Sequence, residues 1–196
     1  APAAQPIQPQ PQVAPQVQPA ITAQPSSPQP PAATSHLTGS QIARANGMDT
    51  GAAALTFENF IIGDSNRLAY SMAVSVAESP GKSTLNPLFI YGKSGLGKTH
   101  LLRAIQNYIL ETRPDMRVVY IDAQEFITEY SIAAIDHSKD KSSFQAFQSR
   151  YLDADALLID DVQYFQGKSA TVNIVFQLFN RLTDAGKQVV LSADRS

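Results

Sequence analysis

The chain contains no cysteine and no tryptophan. Without thiols there is no disulfide framework and no thiolate metal site, a composition that suits a cytoplasmic protein. No apolar run approaches the ~20 residues of a membrane-spanning helix. No charged-plus-apolar signal segment opens the chain. It begins at Ala1 rather than at a methionine, as expected of a piece of something longer. Charge of either sign is scarce: 15 basic residues stand against 17 acidic ones, for a net charge of −2. That balance excludes a broadly basic nucleic-acid surface but leaves room for a local patch.

Aromatic residues are also missing from the first 54 positions, which hold ten of the thirteen prolines, nine glutamines and only two charged residues, Arg44 and Asp49. Such a segment cannot bury enough apolar surface to offset its ordering entropy, and is expected to be a disordered linker. Its spaced prolines (Pro6/Pro9, Pro25/Pro28) fit an SH3-ligand pattern, though a semi-extended spacer is the simpler reading. From Leu55 onward the composition is globular, and the remaining ~140 residues suit one domain.

Within that domain, Gly92 to Thr99 reads GKSGLGKT. Two glycines four residues apart, followed by Lys and Thr, form the phosphate-binding loop pattern. Gly92, Gly95 and Gly97 let the backbone curl so that successive N–H groups face a polyphosphate. Lys98 supplies a point charge for the β- and γ-phosphates, and the Thr99 hydroxyl is a Mg²⁺ ligand. Lys93, Ser94 and Leu96 complete the loop. His100 is a helix residue beside the site. The loop is preceded by Leu88 to Tyr91, read as a short buried strand. It is followed by a helix to about Thr112 with Leu101, Leu102, Ile105, Tyr108 and Ile109 on one face. Strand–loop–helix is the context this pattern requires.

Further elements alternate. A helix is expected from about Ser65 to Ser79, capped by Asp64, with Leu68, Met72 and Val76 on one face. Strands are expected at Val118 to Ile121, Ala156 to Ile159 and Gln188 to Leu191. Two short helical patterns (Phe126, Ile127, Tyr130; Phe144, Phe147, Tyr151) separate the first two of these. A helix from about Ala170 to Ala185 carries Val172, Val175, Phe176, Phe179 and Leu182 as its stripe, with Gly186 ending it. This order predicts an α/β fold, a parallel sheet with helices on both faces.

The strand LLIDD delivers Asp160 and Asp161 to the carboxyl edge, where ligands of open α/β sheets bind. Asp160 is a candidate Mg²⁺ holder, and Asp161 a candidate for orienting or deprotonating a water; an acidic strand end capping the next loop is the alternative. Asp194 ends the fourth strand on the same edge, either to contact a γ-phosphate or as a simple turn residue. A small phosphotransferase would need clustered lid arginines, and Asp122 to Tyr151 holds only Arg150. Intact Lys98, Thr99 and Asp160 argue against a binding scaffold without hydrolysis, which Asp161 leaves open.

Taken together, TFENFIIGDSN (Thr56 to Asn66), LFIYGKSGLGKTHLL (Leu88 to Leu102), DALLIDDVQYF (Asp155 to Phe165) and LSADRS (Leu191 to Ser196) closely resemble the bacterial chromosomal replication initiator family, DnaA. The resemblance covers about Leu55 to Ser196. It implies a P-loop NTPase of the AAA+ type, a three-layer αβα domain broken off before the last strand and the lid. ATP or ADP and Mg²⁺ are the implied ligands. Asp160 falls at the Walker B position, Asp161 where many AAA+ proteins have Glu, and Asp194 at the sensor-1 position. Phe60, Ile61, Ile62 and Asn66 fall in the segment expected to cover the adenine and ribose. Ile127 and Lys168 match positions that contact single-stranded DNA in the pore, but SATVNIVF after Lys168 departs from the family's acidic, Gln-rich run, and Ala170 stands where a basic residue is frequent. The implied function is an ATP-dependent switch that self-assembles on and opens origin DNA, with hydrolysis through Lys98, Asp161 and Asp194; a helicase loader or transposition helper ATPase is the alternative. Implied partners outside residues 55–196 are duplex DNA through a C-terminal domain, the replicative helicase through an N-terminal one, and anionic phospholipid. The usual fifth strand beside strand one would also lie beyond Ser196, leaving Leu88 to Tyr91 as an open edge.

Overall fold

The computed structural model describes residue 52, residues 54–137 and residues 141–194. The expected linker therefore lies outside the described residues, except for its last few positions. Four parallel strands form one sheet in the order β1-β4-β3-β2: β1 (Leu88–Gly92), β2 (Val118–Asp122), β3 (Ala156–Asp160) and β4 (Gln188–Asp194). Two helices, α1 (Arg67–Glu78) and α2 (Lys98–Thr112), cover one face. Helices α3 (Ala123–His137), α4 (Lys141–Leu152) and α5 (Ser169–Asp184) pack with a 3-10 turn (Val162–Phe165) on the other. The three-layer αβα architecture is the expected one.

The central strands explain the layers. All five residues of β3 are buried, so alternate side chains feed two cores. Leu158 and Ala156 join Val190, Leu102 and Ile105 on the α1/α2 side, while Leu157 and Ile159 join Ile121, Val189, Leu178 and Leu182 on the other. Helix α2 buries Leu101, Leu102, Ile105 and Ile109 of its expected stripe with Tyr108 half-buried, stops at Thr112, and closes with the Arg113 N–H on the Ile109 carbonyl at 2.8 Å. Pro114 blocks continuation. Gly186 (φ +70°) ends α5 as expected: its N–H donates to Thr183 O and that of Lys187 to Leu182 O, at 3.0 and 2.9 Å, the paired bonds of a Schellman turn.

Four local expectations are corrected. Helix α1 starts at Arg67, with Asn66 rather than Asp64 at its N-cap and no side-chain capping bond. Asp64 instead pairs with Arg67 at 3.4 Å on the exposed surface. The buried face of α1 is Ala73, Val76 and Ala77, and Leu68 is 69% exposed, because small residues let this helix approach the sheet. Strand β1 is not buried throughout: Leu88 and Ile90 are, while Phe89 and Tyr91 stack on each other at 5.9 Å in the open, since β1 is a sheet edge. On α5 the buried stripe is Thr171, Ile174, Leu178 and Leu182. Val172 and Phe176 face outward, with Val175 and Phe179 half-buried between.

Glu129 ties α3 to α4, accepting from the Arg150 guanidinium and, at 2.5 Å, from the Tyr151 hydroxyl. Burial and then the hydrogen bond to Glu129 push the Tyr151 phenol well above its usual range. Tyr120 is raised likewise, by burial first and the Asp160 charge next. A folded-state pKa above the unfolded value gives stability that is complete below the unfolded pKa of about 10 and is lost as pH rises toward the folded value. Alkaline titration followed at the phenolate absorption band should therefore find two of the seven tyrosines silent until the chain unfolds. Smooth ionisation of all seven with the fold intact would contradict these shifts.

Candidate functional site

The site lies at the carboxyl edge of the sheet, between the end of β1 and the start of α2. Gly95 and Gly97 both take positive φ, +78° and +89°. Left-handed glycines of this kind are what an anion-binding backbone loop requires. Gly97 is required for a second reason: a Cβ there would meet the Phe60 ring at 2.7 Å. Lys98 opens α2 and is nearly buried, at 8% exposure. Its ammonium donates to the Lys93 carbonyl at 3.1 Å and to Asp194 Oδ1 at 2.5 Å. Parallel pairing of β1 with β4 sets Gly92 opposite Asp194, so sheet register itself brings the two together.

Asp160 is 2% exposed and highly ordered by its neighbours. The Tyr120 hydroxyl donates to Oδ2 at 2.7 Å, the Ser192 hydroxyl donates to Oδ1, and the Asp161 N–H reaches Oδ1 at 3.2 Å. Three of the carboxylate's roughly four lone-pair positions are thereby used, leaving room for one more partner. Asp161 takes a left-handed conformation (φ 56°, ψ 44°) and accepts from Gln163 Nε2 at 3.0 Å. Gln163 Oε1 in turn accepts from the Asp194 N–H at 2.9 Å. Gln163 thus bridges the ends of β3 and β4.

Of the segment expected to cover a nucleotide, Phe60 is buried, stacked on Tyr70 at 5.7 Å and edge-on to His100 at 5.1 Å. His100 Nε2 lies 2.7 Å from the Thr56 carbonyl, which as an acceptor requires the ring N–H there. Asn107 on α2 donates to the Ala52 and Leu55 carbonyls at 3.0 and 2.9 Å, so the leading segment is strapped onto the loop's own helix. Asn66 holds the intervening turn, accepting from Gly63 N and donating to Ile61 O. A cleft of about 280 Å³ opens between this segment and the loop, lined by Asn59, Phe60, Ile61, Asn66, Gly95, Leu96, Gly97 and His100. Ile62 is exposed and outside that lining.

Lys168 is exposed at the N-cap of α5 and lines a larger cleft, about 510 Å³, with Val162, Phe165 and Val172. Ile127 is half-buried against the α3–α5 core and does not line that cleft. Four residues of the site had no role in the sequence reading: Tyr120, Ser192, Gln163 and Arg103, whose guanidinium lies 3.3 Å over the Tyr120 ring. The string DDVQ was visible, but Gln163's two partners are not.

Thr99, exposed in the first turn of α2, and Asp160, buried at the end of β3, carry oxygen donors of the kind hard cations take, and no cluster of three or more His, Cys, Asp or Glu stands among the described residues. Mg²⁺ arriving with a nucleotide would need few donors from the protein. A glycine-rich loop at a helix start, a buried lysine, and carboxylates at the ends of the next two strands of the sheet mark a P-loop nucleotide-binding domain.

The particular family follows from three comparisons. The family model for the bacterial DnaA ATPase domain matches residues 52–196, and this chain belongs to that family. The chromosomal replication initiator protein DnaA of Symbiobacterium thermophilum is 47% identical over 140 residues, 71% of this chain and 29% of that protein. Domain III of the Thermotoga maritima replication initiation protein DnaA superposes with a TM-score of 0.65 at 45% identity, covering 72% of this chain and 56% of that one. A replication initiator DnaA solved with AMPPCP and single-stranded DNA gives 0.64 at 40% identity, covering 72% and 42%. The DnaC helicase loader, at 18% identity and a TM-score of 0.61, shares the fold alone. The chain spans less than a third of the curated relative's length. No helix among the described residues is long and apolar enough to cross a membrane.

Proposed function

We propose that residues 55–196 bind ATP or ADP with Mg²⁺ and serve as the nucleotide switch of a replication initiator that assembles on and opens origin DNA. The observation that carries this reading is the Lys98–Asp194 pair across the glycine loop. The lysine's charge is met by a carboxylate at the tip of β4. A polyphosphate entering the cradle would compete for the same ammonium, exchanging one anionic partner for another and releasing Asp194. The nucleotide state would thereby reach the end of β4 and the Gln163 bridge.

Each residue has a part. The loop N–H groups and Lys98 orient the β- and γ-phosphates. Thr99 and Asp160 hold Mg²⁺, which screens phosphate charge when bound. Asp161 is assigned the water-orienting role, while the cleft beside Phe60 and His100 takes the nucleoside. Ile127 and Lys168 are assigned to single-stranded DNA on their match to the family's pore positions alone; Lys168 is exposed for that role, whereas Ile127 is half-buried against the α3–α5 core. Helicase, duplex DNA and anionic phospholipid belong to the proposal for the longer protein, as does a cytoplasmic location. An arginine supplied in trans is a recurrent device for such transition states, so the chain alone should hydrolyse ATP slowly.

Sedimentation velocity on the protein with single-stranded DNA tests the switch. Assembly should be larger in ATP than in ADP. Identical sedimentation with either nucleotide bound would sink it.

A further inference from the structure

We infer that Tyr120, held in place by Arg103 and assisted by Ser192, is a positioning residue that fixes the Asp160 carboxylate for a divalent cation. This rests on the nucleotide-site reading above. The row is built by strand register. Tyr120 on β2 pairs with Leu158, two residues before Asp160 on β3, and Leu158 pairs with Val190, two before Ser192 on β4. Residues two apart on a strand share a face, so a phenol, a carboxylate and a hydroxyl line up on the α2 side of three adjacent strands. Both hydroxyls donate to Asp160, one to each oxygen.

Arg103 makes this more than core satisfaction. Its guanidinium sits 3.3 Å from the Tyr120 ring centroid and is itself fixed by Nη1 donating to Gln106 Oε1 at 3.1 Å. A cation over the ring face withdraws electron density and makes the phenol a stronger donor. Arg103 also stands on α2, the helix that carries Lys98 and Thr99. Arg103–Tyr120–Asp160 is therefore a side-chain link between the two elements that would share the metal. Ring filling alone needs only phenylalanine at 120. The hydroxyl is what orients the carboxylate, leaving one lone-pair direction open.

The experiment titrates Mg²⁺ against a fluorescent ADP analogue on the full 196-residue chain, with an EDTA arm, for the unaltered protein and for Tyr120→Phe and Ser192→Ala. Affinity in EDTA should be unchanged in both variants. The Mg²⁺ concentration giving half its effect should rise about ten- to a hundredfold, as when an outer-shell partner of a metal ligand is removed. A merely structural role would lower the melting temperature and leave the Mg²⁺ midpoint alone, and that result overturns the inference. If Tyr120→Phe fails to fold, Arg103→Lys must show the shift, since it keeps the charge and loses the planar stack; an unshifted midpoint there overturns it equally. Failure of the unaltered protein to bind the analogue, or to respond to Mg²⁺, would instead reject the nucleotide-site reading, and the inference with it.

Discussion

Gly97→Val should abolish nucleotide binding and lower the melting temperature at the same time. Two costs add at this position. A β-branched residue at φ +89° pays roughly 1–2 kcal/mol or more for left-handed backbone. Its Cβ would also sit 2.7 Å from Phe60, against a ring packed between Tyr70 and His100. Phe60 cannot retreat without opening the leading segment, which His100 and Asn107 hold to α2 through the carbonyls of Ala52, Leu55 and Thr56. Either the loop or the strap must give, and both outcomes disrupt the cleft. A domain of this size loses roughly 2–8 °C per kcal/mol, so a drop of several degrees is expected by differential scanning calorimetry. Gly95→Ala is the contrast. It shares the positive φ but meets nothing within 4 Å, so its cost is backbone strain alone. Equal effects at the two glycines would contradict the steric half of this argument.

The second large effect is Lys98→Ala. The lysine contributes both the phosphate-facing charge and the counterion of Asp194. Its loss should weaken ATP binding at least a hundredfold, about 2.7 kcal/mol. In the unliganded chain the stability change should be smaller. Asp194 is 39% exposed and water can replace the ammonium, so the pair is worth far less than a fully buried one. The signature is a separation of readouts: ATP should raise the melting temperature of the unaltered chain and leave that of Lys98→Ala unmoved. Retained stabilisation by ATP would remove Lys98 from the site.

Much of the fold is legible in the sequence. The glycine loop, the alternation of strands and helices and the acidic strand end are local signals, and the structure has the loop and both acidic strand ends at the carboxyl edge of the sheet. What escaped depends on register or on competition between faces. Helix α5 carries Val172, Ile174, Val175, Phe176, Leu178 and Phe179, apolar residues on more than one side. Large aromatics attract a stripe assignment, but the helix rotates to bury Thr171, Ile174, Leu178 and Leu182. Phe89 and Tyr91 read as core because an apolar run hides whether both faces of its strand are covered, and β1 is an edge. Asn66, read only as part of the segment expected to cover the adenine and ribose, stands at the N-cap in place of Asp64 and bonds Gly63 and Ile61. The supports of Asp160 lie about 30 to 40 residues away along the chain, and only the pairing of β2, β3 and β4 puts them in a row.

The central claim is that a preformed triphosphate site exists at the Gly92–Thr99 loop. Isothermal titration calorimetry of the folded chain with ATP and with AMP, in Mg²⁺ and with circular dichroism to confirm the fold, tests it most directly. The account predicts saturable one-to-one binding of ATP and far weaker binding of AMP, because the cradle and Lys98 act on phosphates that AMP lacks. A well-folded chain that binds neither nucleotide, or binds both equally, would contradict it.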